Sequence, residues 1–167
     1  MTGRSESRPP SVQQTHSSIS PVASLKCPEE VACRISTYFK TLLRSSQRKT
    51  RLLPIPTRSD AKRNQDHLEN VAWSYTRIVE LWKSHMLNDG SLQFEVFQDN
   101  FEERLVQICL ALAECADAKR NFRGPFNPND QTRKIATLET LVDSLEQAWL
   151  TWSLCVDIHK QANDRIL

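Results

Sequence analysis

The stretch Asn127–Lys160, NPNDQTRKIATLETLVDSLEQAWLTWSLCVDIHK, decides the fold. Ile135, Leu138, Val142, Leu145, Trp149, Trp152, Val156 and His159 recur at alternating spacings of three and four. On a helix that spacing draws one seam, the side that faces a partner helix. Leu141, Ala148 and Cys155 form a second lane beside the seam, and Leu150, Leu154 and Ile158 form a third. From Ala148 to Ile158 the helix is therefore apolar almost all round and has to be covered on several sides. Asn127 as N-cap, Pro128 at the first helical position and Asp130 near the positive dipole end mark where it starts.

Stripes spaced by threes and fours occur three more times along the chain. Helix three covers about 92–121, with Phe97, Phe101, Leu105, Ile108, Leu112 and Cys115 on its stripe and Phe94 at its start. Arg123-Gly124-Pro125 ends it, and so short a link into the last helix implies neighbouring antiparallel helices. Helix two runs over about 59–87 with Ser59 as N-cap; its seam is Ala61, Asn64, Leu68, Val71, Tyr75, Ile78, Trp82 and His85. Asn88-Asp89-Gly90 supplies the turn after it, and Ser91 caps helix three. Helix one spans about 28–45, from Pro28 with Glu29 and Glu30 in its first turn, and carries Val31, Ile35, Tyr38 and Leu42, widened by Phe39 and Leu43. Residues 46–58, containing Pro54 and Pro56, read as an extended basic connector.

Residues 1–26 are rich in Ser, Thr, Gln and Pro without apolar periodicity, which predicts a disordered tail. Residues 27–167 then form a single domain. The expected fold is all-α: an up-down bundle of three long helices plus a shorter N-terminal helix. Three glycines in 167 residues leave no material for phosphate-cradling loops or an all-β fold. Five cysteines, an odd number and each near an apolar stripe or a helix start, suit free thiols in a reducing compartment. No long uninterrupted apolar run occurs, so no membrane partner is expected, and the expected location is cytoplasm or nucleus.

Chemistry-bearing patterns are sparse. Cys27/Cys33 and Cys109/Cys115 are six positions apart, which on a helix turns the two thiols about 120° out of alignment and spoils shared ligation. No nucleophile elbow, phosphate loop, dinucleotide fingerprint or metalloprotease motif is found. The expectation is a non-enzyme with no catalytic residues, no metal, no cofactor and no small-molecule substrate. Two polar or aromatic features stand out. Arg44, Arg48, Lys49, Arg51, Arg58, Lys62 and Arg63 are opposed within their stretch by Asp60 alone, a run suited to an anionic contact such as nucleic acid. Trp73 lies off the seam of helix two; with Leu150, Leu154 and Ile158 it is a candidate for contact with a protein partner or a second copy. The function expected is that of a helical adaptor or complex subunit, with a nucleic-acid-associated accessory protein as the alternative.

An aromatic-led helix containing Ile108, Cys109 and Ala116, a short break, and then Leu138, Val142, Glu146 and Leu150 together resemble the required-for-excision family of small helical proteins linked to DNA repair. Tyr38, Phe39 and Arg48 are similar to that family's first helix. The resemblance spans most of residues 30–158 and implies a DNA-repair association without a catalytic motif. The Trp149/Trp152 pair and the long proline-containing connector depart from the family's pattern.

Overall fold

A computed structural model describes residues 27–88, 95–121 and 128–166. Four helices occupy them: α1 Pro28–Leu52, α2 Ile55–Asn88, α3 Glu95–Asn121 and α4 Pro128–Asp164, with no strand among the described residues. The expected tail disorder, the turn and cap at 88–91, Phe94, the 123–125 terminator and the Asn127 cap fall wholly or partly outside the described residues.

The region between the first two helices differs from the expected connector. Helix α1 continues through Arg44, Arg48, Lys49 and Arg51 to Leu52, and α2 begins at Ile55 rather than near Ser59. Two residues, Leu53 and Pro54, make the whole junction. The prolines explain both the break and its brevity. Pro54 contributes no N–H, yet its carbonyl accepts from the N–H groups of Thr57 and Arg58, each at 3.1 Å, which is how a helix start is satisfied. Pro56 then sits in the first turn of α2, where a missing N–H costs nothing. At 25 residues α1 is nearly as long as α3 at 27. At its other end Pro28 takes the first helical position, and the Cys27 carbonyl accepts from Glu30 and Val31.

The helices pack as a square. Helix α1 lies against α2 and α3, and α4 lies against α2 and α3; among the described residues the pairs α1/α4 and α2/α3 sit across the diagonals. Contacts between α2 and α4 climb both helices together, from Asn64–Thr132 through His67–Glu139 and Arg77–Glu146 to His85–Trp149, so these neighbours run in the same direction. Contacts between α3 and α4 run oppositely: Phe101 meets Trp149 and Trp152, while Arg104 donates to Ser144.

The seams fill the centre. Ile35, Tyr75, Ile78, Phe101, Leu105, Ile108, Leu112, Leu138, Val142, Leu145 and Val156 are almost completely buried. Trp82, Phe101, Trp149 and Trp152 form an aromatic cluster, with Trp82 reaching Phe101 across the diagonal at 5.2 Å between ring centroids. On α1 it is Phe39 that is buried, while Tyr38 is only partly covered; Phe39 lies 5.4 Å from the Tyr75 ring. Tyr75 crosses to α1, its hydroxyl donating to the Ala32 carbonyl at 2.9 Å. Burial pushes the Tyr75 phenol well above its ordinary range, because the anion would lose water without gaining a cation.

Candidate functional site

The outer face shared by α2 and α4 brings together the apolar residues that the core leaves over. On α2, Trp73, Arg77 and Leu81 are spaced four apart; on α4, Glu146, Leu150, Leu154 and Ile158 are too. The Arg77 guanidinium joins the two lanes by donating through Nη2 to Glu146 Oε1 at 2.5 Å. It also lies over the Trp73 ring, 5.4 Å from the centroid. A lane of fourth residues turns about 40° per step round its helix. Because α2 and α4 run the same way, both lanes drift in the same lateral sense. The result is an oblique stripe from Trp73, through the Arg77–Glu146 pair and Leu81, to Leu150, Leu154 and Ile158.

All of its apolar members are surface residues. Trp73 is 65% exposed and Leu154 59%, with Leu81, Leu150 and Ile158 about half exposed. Scattered surface leucines are ordinary; here they are grouped along one oblique line with a tryptophan, interrupted by the Arg77–Glu146 pair. Leu81 is absent from the sequence candidates. Its signal is present, eight residues after Trp73, but Trp82 beside it belongs to the seam and masks it.

Along α4 every charge between Lys134 and Lys160 is acidic, whereas α2 contributes both signs, with Arg77 and Lys83 near Glu80. From Ile135 to His159 the sequence carries Glu139, Asp143, Glu146 and Asp157 and no Lys or Arg. Two further polar links tie α4 to α2 nearer the N-terminal ends of both helices, before the stripe begins. Thr132 Oγ1 donates to Asn64 Oδ1 at 2.9 Å, and His67 Nε2 lies 2.9 Å from Glu139 Oε2. A dent of about 60 Å³ lies in the same groove, lined by Asn70, Val71, Ser74, Glu139, Val142 and Asp143. It is well below the ~300 Å³ at which a pocket encloses a metabolite.

The basic candidates occupy another region. Arg44, Arg48 and Arg51 are exposed on α1, spaced four and three, which keeps them on one solvent-facing side. Arg58, Lys62 and Arg63 lie on the first turns of α2, and Lys49 is exposed at the end of α1. The seven are gathered round a helical elbow. Several already have partners: Lys62 with Asp66 at 3.6 Å, Arg63 with Asp60 at 3.9 Å, and Arg58 Nη2 with the Leu53 carbonyl at 3.2 Å. Leu52 and Ile55 stand at the tip of the elbow, 85% and 80% exposed.

The cysteines separate by environment. Cys33 is exposed, Cys109 buried, and Cys27, Cys115 and Cys155 intermediate; all five are free thiols. Burial pushes the Cys109 thiol up, with Arg34 pulling weakly the other way. The Cys27 thiol bonds to Glu29 Oε2 at 2.6 Å; that bond, a backbone N–H and the charge of Lys83 hold the Glu29 carboxyl below its usual range. Among the described residues no three His, Cys, Asp or Glu side chains converge as metal ligands, and no helix is long and apolar enough to cross a membrane. The chain matches no family model, no curated protein and no solved structure.

Proposed function

We propose that this chain is a non-enzymatic helical adaptor or complex subunit, working in cytoplasm or nucleus, whose protein partner lies along the outer face of α2 and α4. The single observation that supports this reading is the oblique stripe: Trp73, Leu81, Leu150, Leu154 and Ile158 are exposed together. A tryptophan beside an arginine is a pairing that interface centres favour, the leucines add apolar area along the same stripe, and a partner helix laid obliquely across the α2/α4 groove would cover them together. An up-down course for the chain, with α2 and α4 side by side, is part of the same reading.

Affinity capture of tagged protein from cells tests it, with Trp73→Ala and Leu154→Asp as variants. Loss of the same discrete partner from both, at unchanged helicity and melting, is the expected result. Unchanged capture by both, or no partner for the parent chain, overturns the reading.

The alternative, a nucleic-acid accessory role of the kind the required-for-excision resemblance implies, draws on the exposed basic elbow. Its test is anisotropy of labelled DNA and RNA at low salt. Arg48, Lys49 and Arg51 changed to Glu should abolish binding, and the slope of affinity against salt should report the number of phosphate contacts. No binding by the parent ends it.

A further inference from the structure

Charge is segregated along this chain, and folding turns that segregation into two complementary surfaces. From Val31 to Ser59 there are seven cations and not one carboxylate; from Ile135 to His159 the carboxylates stand without any Lys or Arg. The first segment contributes the elbow, where Leu52 and Ile55 are exposed among Arg48, Arg51 and Arg58. The second contributes half of the stripe, where Leu150 and Leu154 are exposed with Asp157 one turn further along α4; on α2 the exposed Glu80 follows Arg77 by one turn. Each surface carries apolar side chains; the charges beside the elbow are cationic, and beyond the mutually neutral Arg77–Glu146 pair those used beside the stripe are the exposed acids Glu80 and Asp157.

One chain cannot bring them together. Ile55 and Leu81 belong to the same continuous helix α2, and at 1.5 Å per residue they are about 39 Å apart along it. Two chains with their α2 helices antiparallel do bring them together. Setting Ile55 of one copy level with Leu81 of the other does the same at the far end, because the arrangement is two-fold. The geometry points to a second copy of this chain as the occupant of the stripe, in an antiparallel dimer where each cationic elbow docks on the other copy's stripe beside Glu80 and Asp157. The inference rests on the reading of the stripe as a contact surface and names what covers it.

Closed two-fold pairing is the commonest way for identical chains to associate, since it satisfies both sticky surfaces of both copies and leaves none for further growth. Arginine suits the elbow, being weakly hydrated and able to meet a carboxylate with two donors. The apolar tips supply burial, and these charges supply register and sensitivity to salt.

Sedimentation velocity on the full chain tests the dimer, at about 0.05 M and about 0.5 M salt, where the screening length falls severalfold. The parent should be dimeric at low salt and largely monomeric at high salt. An elbow variant, Arg48→Glu with Arg51→Glu, and a stripe variant, Glu80→Arg with Asp157→Arg, should each be monomeric while keeping the parent's helicity and melting. Mixed in equal amounts they should dimerise again, because in the mixed pair both contacts join opposite charges.

A parent that stays monomeric at high micromolar concentration and low salt overturns the proposal. So does a dimer that survives either reversal, or a mixture that remains monomeric. If a reversal impairs folding, the neutral variants (Arg to Gln, Glu80→Gln and Asp157→Asn) replace it, with an expected rise in the dimer Kd of about tenfold or more; no rise overturns it. A monomer that still captures a different protein through Leu154 defeats self-pairing and leaves the adaptor reading standing. A monomer whose Trp73→Ala and Leu154→Asp variants behave as the parent defeats both.

Discussion

Placing an aspartate at Leu145 and, separately, at Leu154 should give opposite outcomes, although the two residues are nine positions apart on one helix. Leu145 is completely buried, within the seam that meets the other helices. Truncating a leucine in such a place costs about 2–5 kcal/mol from lost burial and the cavity left behind. A carboxylate adds several kcal/mol more, because it must lose its water or take up a proton. The sum is comparable with the whole stability of a domain this size, about 5–15 kcal/mol, so Leu145→Asp should be unfolded or barely folded in water. Leu154 is 59% exposed. Only the covered part of its side chain is lost, about 1 kcal/mol, with about 0.5 kcal/mol more for the weaker helix propensity of aspartate. Leu154→Asp should therefore fold, with a urea midpoint only modestly below the parent's. Urea titration followed by circular dichroism at 222 nm reads both. A Leu154→Asp chain that unfolds like Leu145→Asp would place the outer lane of α4 in the core, and the stripe would not be a surface.

Three smaller expectations rest on named side chains. Tyr75 is held neutral by burial, so above pH about 10 the unfolded chain releases a proton that the folded chain keeps. Its contribution is complete below that pH and declines as pH rises, by at most about 1.4 kcal/mol per unit. Tyr75→Phe should flatten this alkaline decline and cost about 1 kcal/mol at neutral pH through the lost bond to Ala32; an identical decline in both proteins contradicts the assignment. Iodide should quench one class of tryptophan, because Trp82, Trp149 and Trp152 are buried and Trp73 is exposed. Trp73→Phe should remove that class, and quenching that persists in the variant would mean the aromatic cluster is open. Alkylation with mass spectrometry should label Cys33 early and Cys109 only on unfolding, since Cys109 is inaccessible and burial disfavours its thiolate; early labelling of Cys109 would show that α3 is not packed as described.

The helices are legible in the sequence because burial enforces a period. Leu68, Val71, Tyr75, Ile78 and Trp82 on α2, and Leu138, Val142, Leu145, Trp149 and Trp152 on α4, are inside as their spacing requires. His159 continues that spacing yet is exposed, because the buried seam of α4 ends at Val156; periodicity marks a face but not how far its cover extends. The spacing puts Tyr38 on the stripe of α1 and Phe39 on its flank, and the structure reverses them. The two are adjacent and similar in bulk, so a small rotation of the helix decides between them. The elbow reads as a connector because proline is a breaker inside a helix and a starter in its first turn, and the sequence does not say which of Pro54 and Pro56 is which. Trp73 is legible as an off-seam aromatic. Its grouping with Leu81, Leu150 and Leu154 is not, because that depends on α2 and α4 being parallel neighbours. Four similar stripes do not specify which pairs adjoin.

A protein contact surface along the outer face of α2 and α4 would hold its partner within reach of position 154. The decisive measurement is a photo-crosslinking residue in place of Leu154 in the full chain, expressed in cells, with the same residue in place of Thr37, exposed on α1, as the control. The expected result is one discrete ultraviolet-dependent product from position 154, either a second copy of this chain or a single other protein, and none from position 37. No product at position 154, or the same diffuse products from both positions, would contradict it.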